Sequence, residues 1–189
     1  MILELIKKSR THRHFFEEAV KEDQILEILK GARFSAFGKN NQNLRYAYTV
    51  NDEKCKEIFR NIALGGALKN DERPSIDERP RGVISIVTDK KNADDNILFF
   101  NIGIVSQNMT LVANDLGLDA CMIMSFNKKE LDRILNIPEN YTTKAVLILG
   151  KGKEKVEVVD ISENDDYKYY RKNNIHYVPK IKLDDLILK

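Results

Sequence analysis

Eight consecutive residues, Lys7-Lys8-Ser9-Arg10-Thr11-His12-Arg13-His14, bring together four permanent cations, two imidazoles and two hydroxyls. A phosphate dianion needs such a mixture. Guanidinium forks pair with it bidentately, and hydroxyl or backbone N–H groups fill its remaining oxygens. A solvated basic turn has the same composition, and there His12 is a peripheral imidazole. His12 and His14 lie two apart with no carboxylate or third ligand beside them in the chain, which is too few for a metal. A second stretch, Ser35-Ala36-Phe37-Gly38-Lys39-Asn40-Asn41-Gln42, is rich in amides that both donate and accept. It suits a ring edge of alternating C=O and N–H groups, such as a flavin pyrimidine, and equally a turn whose Asn residues tolerate unusual backbone angles. The third is Tyr177-Val178-Pro179-Lys180-Ile181-Lys182-Leu183. In an extended chain its two lysines point the same way and can meet one anion, or can snorkel at the surface.

The elements around these stretches follow from hydrophobic spacing. Ile2, Leu5 and Ile6 predict a short helix ending near Ser9, so the basic turn sits at a helix exit. Residues 22–32 predict a second helix with Ile25, Leu26, Ile28 and Leu29 on its buried side. The amide stretch is then a loop leading into a strand at 45–50, where Tyr46, Tyr48 and Val50 share a face. Residues 69–81, polar and holding Pro74 and Pro80, read as a mobile loop, and 83–87 as a buried strand. Leu98, Ile102, Val105, Met109, Val112 and Leu116 step by four and three before Gly117. This predicts a helix from about residue 95 to 116, roughly 33 Å long. The stretch 97–113 carries no charge, and a helix apolar on two sides belongs in a core or a subunit interface. Residues 120–124 predict a strand, Asn127 and Glu130 cap a helix through Leu135, and 143–149 predict a strand closed by Gly150. The tail from Asp160 is polar and aromatic, with a short helix at 183–188. Strands separated by helices argue for a layered α/β or α+β domain around one sheet.

Composition narrows the function. The 189 residues are expected to form a single domain spanning 1–189; 42% are hydrophobic and 32% charged, which excludes collagen-like and disordered classes. Net charge is +2, far from the excess of a nucleic-acid binder. No apolar run reaches the ~18 residues of a membrane span, and the first residues do not read as a secretory signal. The expectation is a cytoplasmic protein without nucleic-acid or membrane partners. Cys55 and Cys121 fit no metal or redox motif and are expected as reduced packing residues.

Taken in order, these stretches resemble the FMN-dependent nitroreductase family. Ser9-Arg10-Thr11-His12-Arg13-His14-Phe15 is similar to its amino-terminal Arg-Arg-Ser-x-Arg-x-Phe signature, and Lys39-Asn40-Asn41-Gln42 to its Asn-x-Gln-Pro motif. Residues 101–108 resemble its long central helix, and Leu116-Gly117-Leu118-Asp119-Ala120-Cys121 its Leu-Gly-x-x-Cys exit. Asn136-Ile137-Pro138, Leu149-Gly150-Lys151 and the tail His176-Tyr177-Val178-Pro179-Lys180 recur too, the last as in a short subgroup. The resemblance implies an α+β, three-layer fold with a central mixed, largely antiparallel sheet and a long central helix at a homodimer interface. It implies FMN bound there: Arg10, Thr11 and Arg13 at the phosphate and ribityl chain with Ser9 beside them, Asn40 and Gln42 near the ring of the partner's flavin. Met124 and Ser125 would offer backbone N–H groups toward flavin N5, and Lys180 and Lys182 would be the late basic pair at the phosphate.

The implied activity is transfer of reducing equivalents from NADH or NADPH to an electron-poor small molecule, such as a nitroaromatic or quinone. The cofactor carries the hydride, so no catalytic side chain is expected. Three positions depart from the pattern: Ser9 stands for an Arg, Phe37 for a Ser and Asn43 for a Pro. The first takes charge from the phosphate site and the others alter the flavin-facing loop. They keep open a flavin-binding protein with little turnover, or an anion-binding dimer without flavin.

Overall fold

The computed structural model describes residues 1–64, 72–93 and 96–188. The chain forms two compact units, Met1–Gly152 and Lys153–Lys189. Helices in the first are α1 (Ile2–Lys8), α2 (Glu22–Arg33), α3 (Asp52–Phe59), α4 (Leu98–Asp115) and α5 (Lys128–Ile134). Its strands are β1 (Leu44–Thr49), β2 (Gly82–Asp89), β3 (Asp119–Ile123) and β4 (Tyr141–Gly150), ordered β1-β2-β4-β3. Every neighbouring pair in this sheet is antiparallel.

The two central strands alternate between two apolar layers, because successive side chains leave a strand on opposite faces. Ile84, Ile86, Ala145, Leu147 and Leu149 pack with Ile25 and Ile28 of α2 and Leu98, Ile102, Val105 and Met109 of α4. Val83, Val146 and Ile148 pack with Cys55 and Ile58 of α3 and Leu131 and Ile134 of α5. Each fully buried Ile or Leu here contributes roughly 1.5–3 kcal/mol. Helix, sheet and helix make three layers, and the fold is the expected α+β type.

Helix α4 begins at Leu98; residue 95, where a start was expected, lies outside the described residues. It ends in a Schellman motif: Leu118 N–H donates to Ala113 O at 2.8 Å and Gly117 N–H to Asn114 O at 3.1 Å. Gly117 makes this turn at φ +78°, open to glycine at no steric cost. Two expected seam residues face outward instead: Leu26 is 49% exposed, and Leu116 is exposed past the last helical turn. The Asn127 cap is present, its side chain accepting from Glu130 N–H. Helix α3 had no apolar period to announce it, since it buries only Cys55 and Ile58 in a charged stretch; its signal was Asn51, which caps Lys54 N–H.

The expected loop over 69–81 divides. Residues 69–71 lie outside the described residues, whereas Arg79 and Arg81 turn inward and meet Asp52 at the start of α3. Two buried guanidiniums need a carboxylate, so this stretch is anchored rather than free.

The second unit is a three-stranded sheet of β5 (Lys155–Ile161), β6 (Tyr170–Lys172) and β7 (Ile175–Ile181), followed by α6 (Leu183–Leu186). Its order is β5-β7-β6, with β5 and β7 parallel and β6 and β7 a hairpin. Asn173 and Asn174, at φ 52° and 60°, make the two-residue turn that hairpin twist favours. The sequence reading anticipated only the extended segment now seen as β7 and the final helix.

Candidate functional site

Ser9 closes α1, donating its N–H to Leu5 O at 2.8 Å, and the chain then runs beside the outer edge of β3. Thr11 pairs parallel with Ala120, and Phe15 antiparallel with Gly152. The approach is close. A Cβ on Gly150 would lie 2.7 Å from the Phe15 ring, and one on Gly152 would lie 2.3 Å from His12 Nδ1. Only glycine at these positions lets the basic turn lie against the sheet.

Arg10 carries the clearest signal in this turn. Its Nη2 donates to Ile6 O at 2.6 Å, while its Nε is buried without a hydrogen-bond partner. Among the described residues it has no carboxylate partner. Burial alone holds its pKa below the ordinary guanidinium value. A desolvated, uncompensated guanidinium is costly unless an anion joins it. Arg13 is half-buried and Thr11 exposed on the same turn.

The two histidines correct the sequence reading. His12 is buried rather than peripheral: its N–H donates to Ala120 O at 3.2 Å and its Nε2 lies 3.6 Å from Asp119 Oδ1. His14, also buried, sets Nδ1 3.0 Å from Glu78 Oε2 and Nε2 3.1 Å from Glu72 O. Both have carboxylate neighbours, supplied by elements distant in sequence, and both tie the basic turn to the body of the first unit. No group of three metal-ligating side chains occurs among the described residues.

Met124 and Ser125 follow the end of β3, both exposed. Four residues along a strand from Ala120 is about 13 Å, so the basic turn and this pair lie at opposite ends of one strand edge. Ser125 O accepts from Ala63 N–H at 2.8 Å, whereas neither Met124 nor Ser125 N–H donates to a backbone carbonyl among the described residues. An open cleft of about 370 Å³ lies beside them, lined by Arg60, Asn61, Ile62, Ala63, Ser125 and Phe126.

Asn40 and Gln42 are elsewhere. Their loop, including the one-turn helix Gly38–Asn40, leads into β1, the opposite edge of the sheet. Three strand spacings, about 14 Å, separate β1 from β3. Both residues are exposed and both adopt left-handed backbone, at φ 51° and 42°. Lys180 is the penultimate residue of β7 and Lys182 occupies the N-cap position of α6 in the second unit, both exposed. Sequence reasoning missed the buried Asn101, which bonds the 38–43 loop from α4. Its signal was an amide in an otherwise apolar helical run.

Around Cys55, burial chiefly and the Asp52 charge secondarily push the thiol up to about 12. Cys55 and Cys121 are both buried, as expected of packing residues.

The model of the Nitroreductase family matches residues 6–151 of this chain. No curated protein matches it. Among solved structures it is similar to a nitroreductase family protein from Streptococcus pneumoniae TIGR4, at 18% identity over 100% of both chains and a TM-score of 0.70. It is also similar to an FMN-dependent nitroreductase from Clostridium difficile R20291, at 21% identity over 91% of this chain and 99% of that one, TM-score 0.68. A nitroreductase family protein from Clostridium novyi NT gives 22% identity over 81% and 86%, TM-score 0.67.

Proposed function

Because this chain belongs to the nitroreductase family, we propose that it is an FMN-dependent oxidoreductase working as a homodimer, with NADH or NADPH as donor and a nitroaromatic, quinone or similar electron-poor molecule as acceptor. The observation that carries this reading is Arg10: a partly buried guanidinium, unpaired by any carboxylate among the described residues, at one end of the β3 edge. The uncommitted N–H groups of Met124 and Ser125 stand at the other end. FMN has a phosphate at one end and a ring with a hydrogen-bonding edge at the other, so the donor set fits it.

When bound, FMN supplies a two-electron carrier between donor and acceptor. The protein's part is binding and orientation. Arg10 and Arg13 meet the phosphate, and Thr11 Oγ1 donates to an oxygen the guanidiniums leave free. The Met124 and Ser125 N–H groups hold the ring edge, and the cleft along residues 60–63 leaves the exposed side open to donor and acceptor in turn. The proton taken up by the acceptor comes from water in this open cleft.

Two observations support the dimer. Helix α4 carries no charge before its last residue, Asp115, and presents Phe99 and Phe100 to the outside, at 54% and 75% exposure, an exposed apolar patch of the kind that marks an interface. Asn40 and Gln42 sit on the sheet edge opposite Met124 and Ser125, an arrangement that suits a second copy bringing its Asn40 and Gln42 to the ring this copy holds. The visible spectrum of the purified protein tests the reading. Flavin bands that bleach without air on adding NADH or NADPH, and return with a quinone, are the expected result. A colourless protein that takes up no added FMN refutes it, and a yellow one that bleaches only over hours identifies a flavin carrier.

A further inference from the structure

Asn101 is wholly buried in the first turn of α4, yet its amide faces no neighbour on its own helix. Gly38 N–H reaches its Oδ1 at 3.0 Å. A backbone N–H can only donate, so the atom facing it is the amide oxygen. The Nδ2 group then donates to Asn41 Oδ1 and to Asn43 Oδ1, each at 3.1 Å. Three of the four hydrogen bonds open to this amide therefore go to one loop.

That loop is held in a disfavoured form. Lys39, Asn40 and Gln42 lie at φ 54°, 51° and 42°, where a Cβ crowds the following carbonyl. Three such residues within four persist only when the surroundings over-determine them, and they gather at sites where geometry must be set beforehand. Within the loop, Asn40 N–H donates to Phe37 O and Asn41 N–H to Gly38 O. Arg45 Nη1 supports Gln42 O at 2.9 Å from β1. From α4, Asn101 supplies three polar contacts to this loop, and the Ile97 side chain packs against Gly38.

We propose that Asn101 is a positioning residue: it fixes residues 39–42 in left-handed form, so that the Asn40 and Gln42 amides are already set when a second copy presents its flavin ring. This rests on the function proposed above. A pre-set loop binds without paying to order itself on contact, so its loss appears in flavin affinity and not only in stability.

The test uses the full chain and three variants. Asn101→Leu keeps the branched shape, with somewhat larger methyl groups, and removes every polar atom; Asn101→Asp keeps the acceptor for Gly38 N–H; Ser85→Ala removes a buried hydroxyl bonded to Thr143 at 2.9 Å, on the face of β2 opposite Ile84 and Ile86, which pack on α4. Hydrogen exchange at the Gly38 amide, FMN titration of the apoprotein and the flavin absorption and circular dichroism bands are recorded for each. Expected for Asn101→Leu are at least tenfold faster Gly38 exchange, FMN affinity lowered about tenfold and shifted bands. Asn101→Asp recovers part of each change, and Ser85→Ala stays at the parent's values. Should Asn101→Leu fail to fold, the double variant Asn41→Ala/Asn43→Ala removes two of the three loop contacts, is the folded variant compared, and must lower FMN affinity at least severalfold. If the parent binds FMN and either the Gly38 exchange or the FMN affinity of the folded variant stays within twofold of it, the inference is wrong. If the parent binds no FMN, the functional reading beneath it is wrong instead.

Discussion

Replacing Asp52 by Asn tests whether the inward-turned arginines matter as much as their burial implies. Arg79 Nη2 donates to both Asp52 oxygens at 2.6 Å, and Arg81 Nη1 to one of them at 3.1 Å. The arginine side chains are 10% and 7% exposed, the carboxylate 55%. A charge-assisted hydrogen bond contributes about 1.5–3 kcal/mol, and solvent at the half-exposed carboxylate screens part of that. Both arginines keep carbonyl acceptors after the change, Ile76 O for Arg79 and Phe16 O and Asp77 O for Arg81, and Glu17 stays 3.7 Å from Arg81, which limits the cost of losing the Asp52 charge. One charge-assisted bond's worth, about 2 kcal/mol, is the expected loss, or about 4–8 °C in Tm for a chain of this size. The pH dependence separates charge from packing. Arg79 first, then Arg81, hold the Asp52 carboxyl below its ordinary 3.8. A carboxylate so depressed stabilises the folded state fully above its unfolded value and ceases to as pH falls through its folded one. Asp52→Asn should therefore trail the parent by a constant margin from pH 7 to about 5, and the margin should narrow from about pH 4 downward. Urea unfolding of both proteins at equal flavin loading, down to the lowest pH at which both fold, reads this directly. A gap below about 0.5 kcal/mol at pH 7, or one that does not narrow in acid, refutes the reasoning.

Arg10→Ala should lower FMN affinity about ten- to hundredfold, the equivalent of one phosphate contact of ~1.5–3 kcal/mol, with little change in Tm. His12→Ala, which empties a buried contact with Asp119, should lower Tm more than affinity; equal flavin retention in the two by fluorescence titration would place the phosphate elsewhere. Phe100→Asp puts a charge on the exposed apolar face of α4 and should convert a species of twice the chain mass into monomer in sedimentation; a parent that is already monomeric contradicts the interface. Cys55, buried and with its thiol pushed up to about 12, should resist iodoacetamide at pH 8 until urea unfolds the protein, as read by mass spectrometry, because the thiolate is the reactive form.

The parts of this fold legible in the sequence are those whose signal is local and repeated. The four-and-three stepping of α4 ended at Gly117, and the helix does end there, in a turn that needs positive φ. The apolar run 83–87 became a strand buried on both faces. The histidines were misread because what buries them is non-local: Asp119 reaches His12 from β3 and Glu78 reaches His14 from an inward-turned stretch. Strand β5 escaped notice because it pairs in parallel with β7, a partnership with no short turn to announce it. The candidate site divides in the same way. Its residue types were readable along the chain, but that Arg10 shares an edge with Met124 while Asn40 lies on the opposite one is a property of strand order, which spacing does not encode.

The pairing of Thr11 with Ala120 and Phe15 with Gly152 also fixes a timetable. A chain grows from its amino terminus at about 5–20 residues per second, so the basic turn leaves the ribosome before the residues it pairs with. Its partners at Ala120 and Gly152 follow several seconds later. Through that interval Arg10, Arg13 and Phe15 lack these docking partners, and the basic turn, made before the sheet, is among the last parts of the first unit to be completed. An mRNA truncated shortly before codon 150 would yield a chain holding every residue of the basic turn and most of the sheet, yet lacking the glycine floor against which that turn is set.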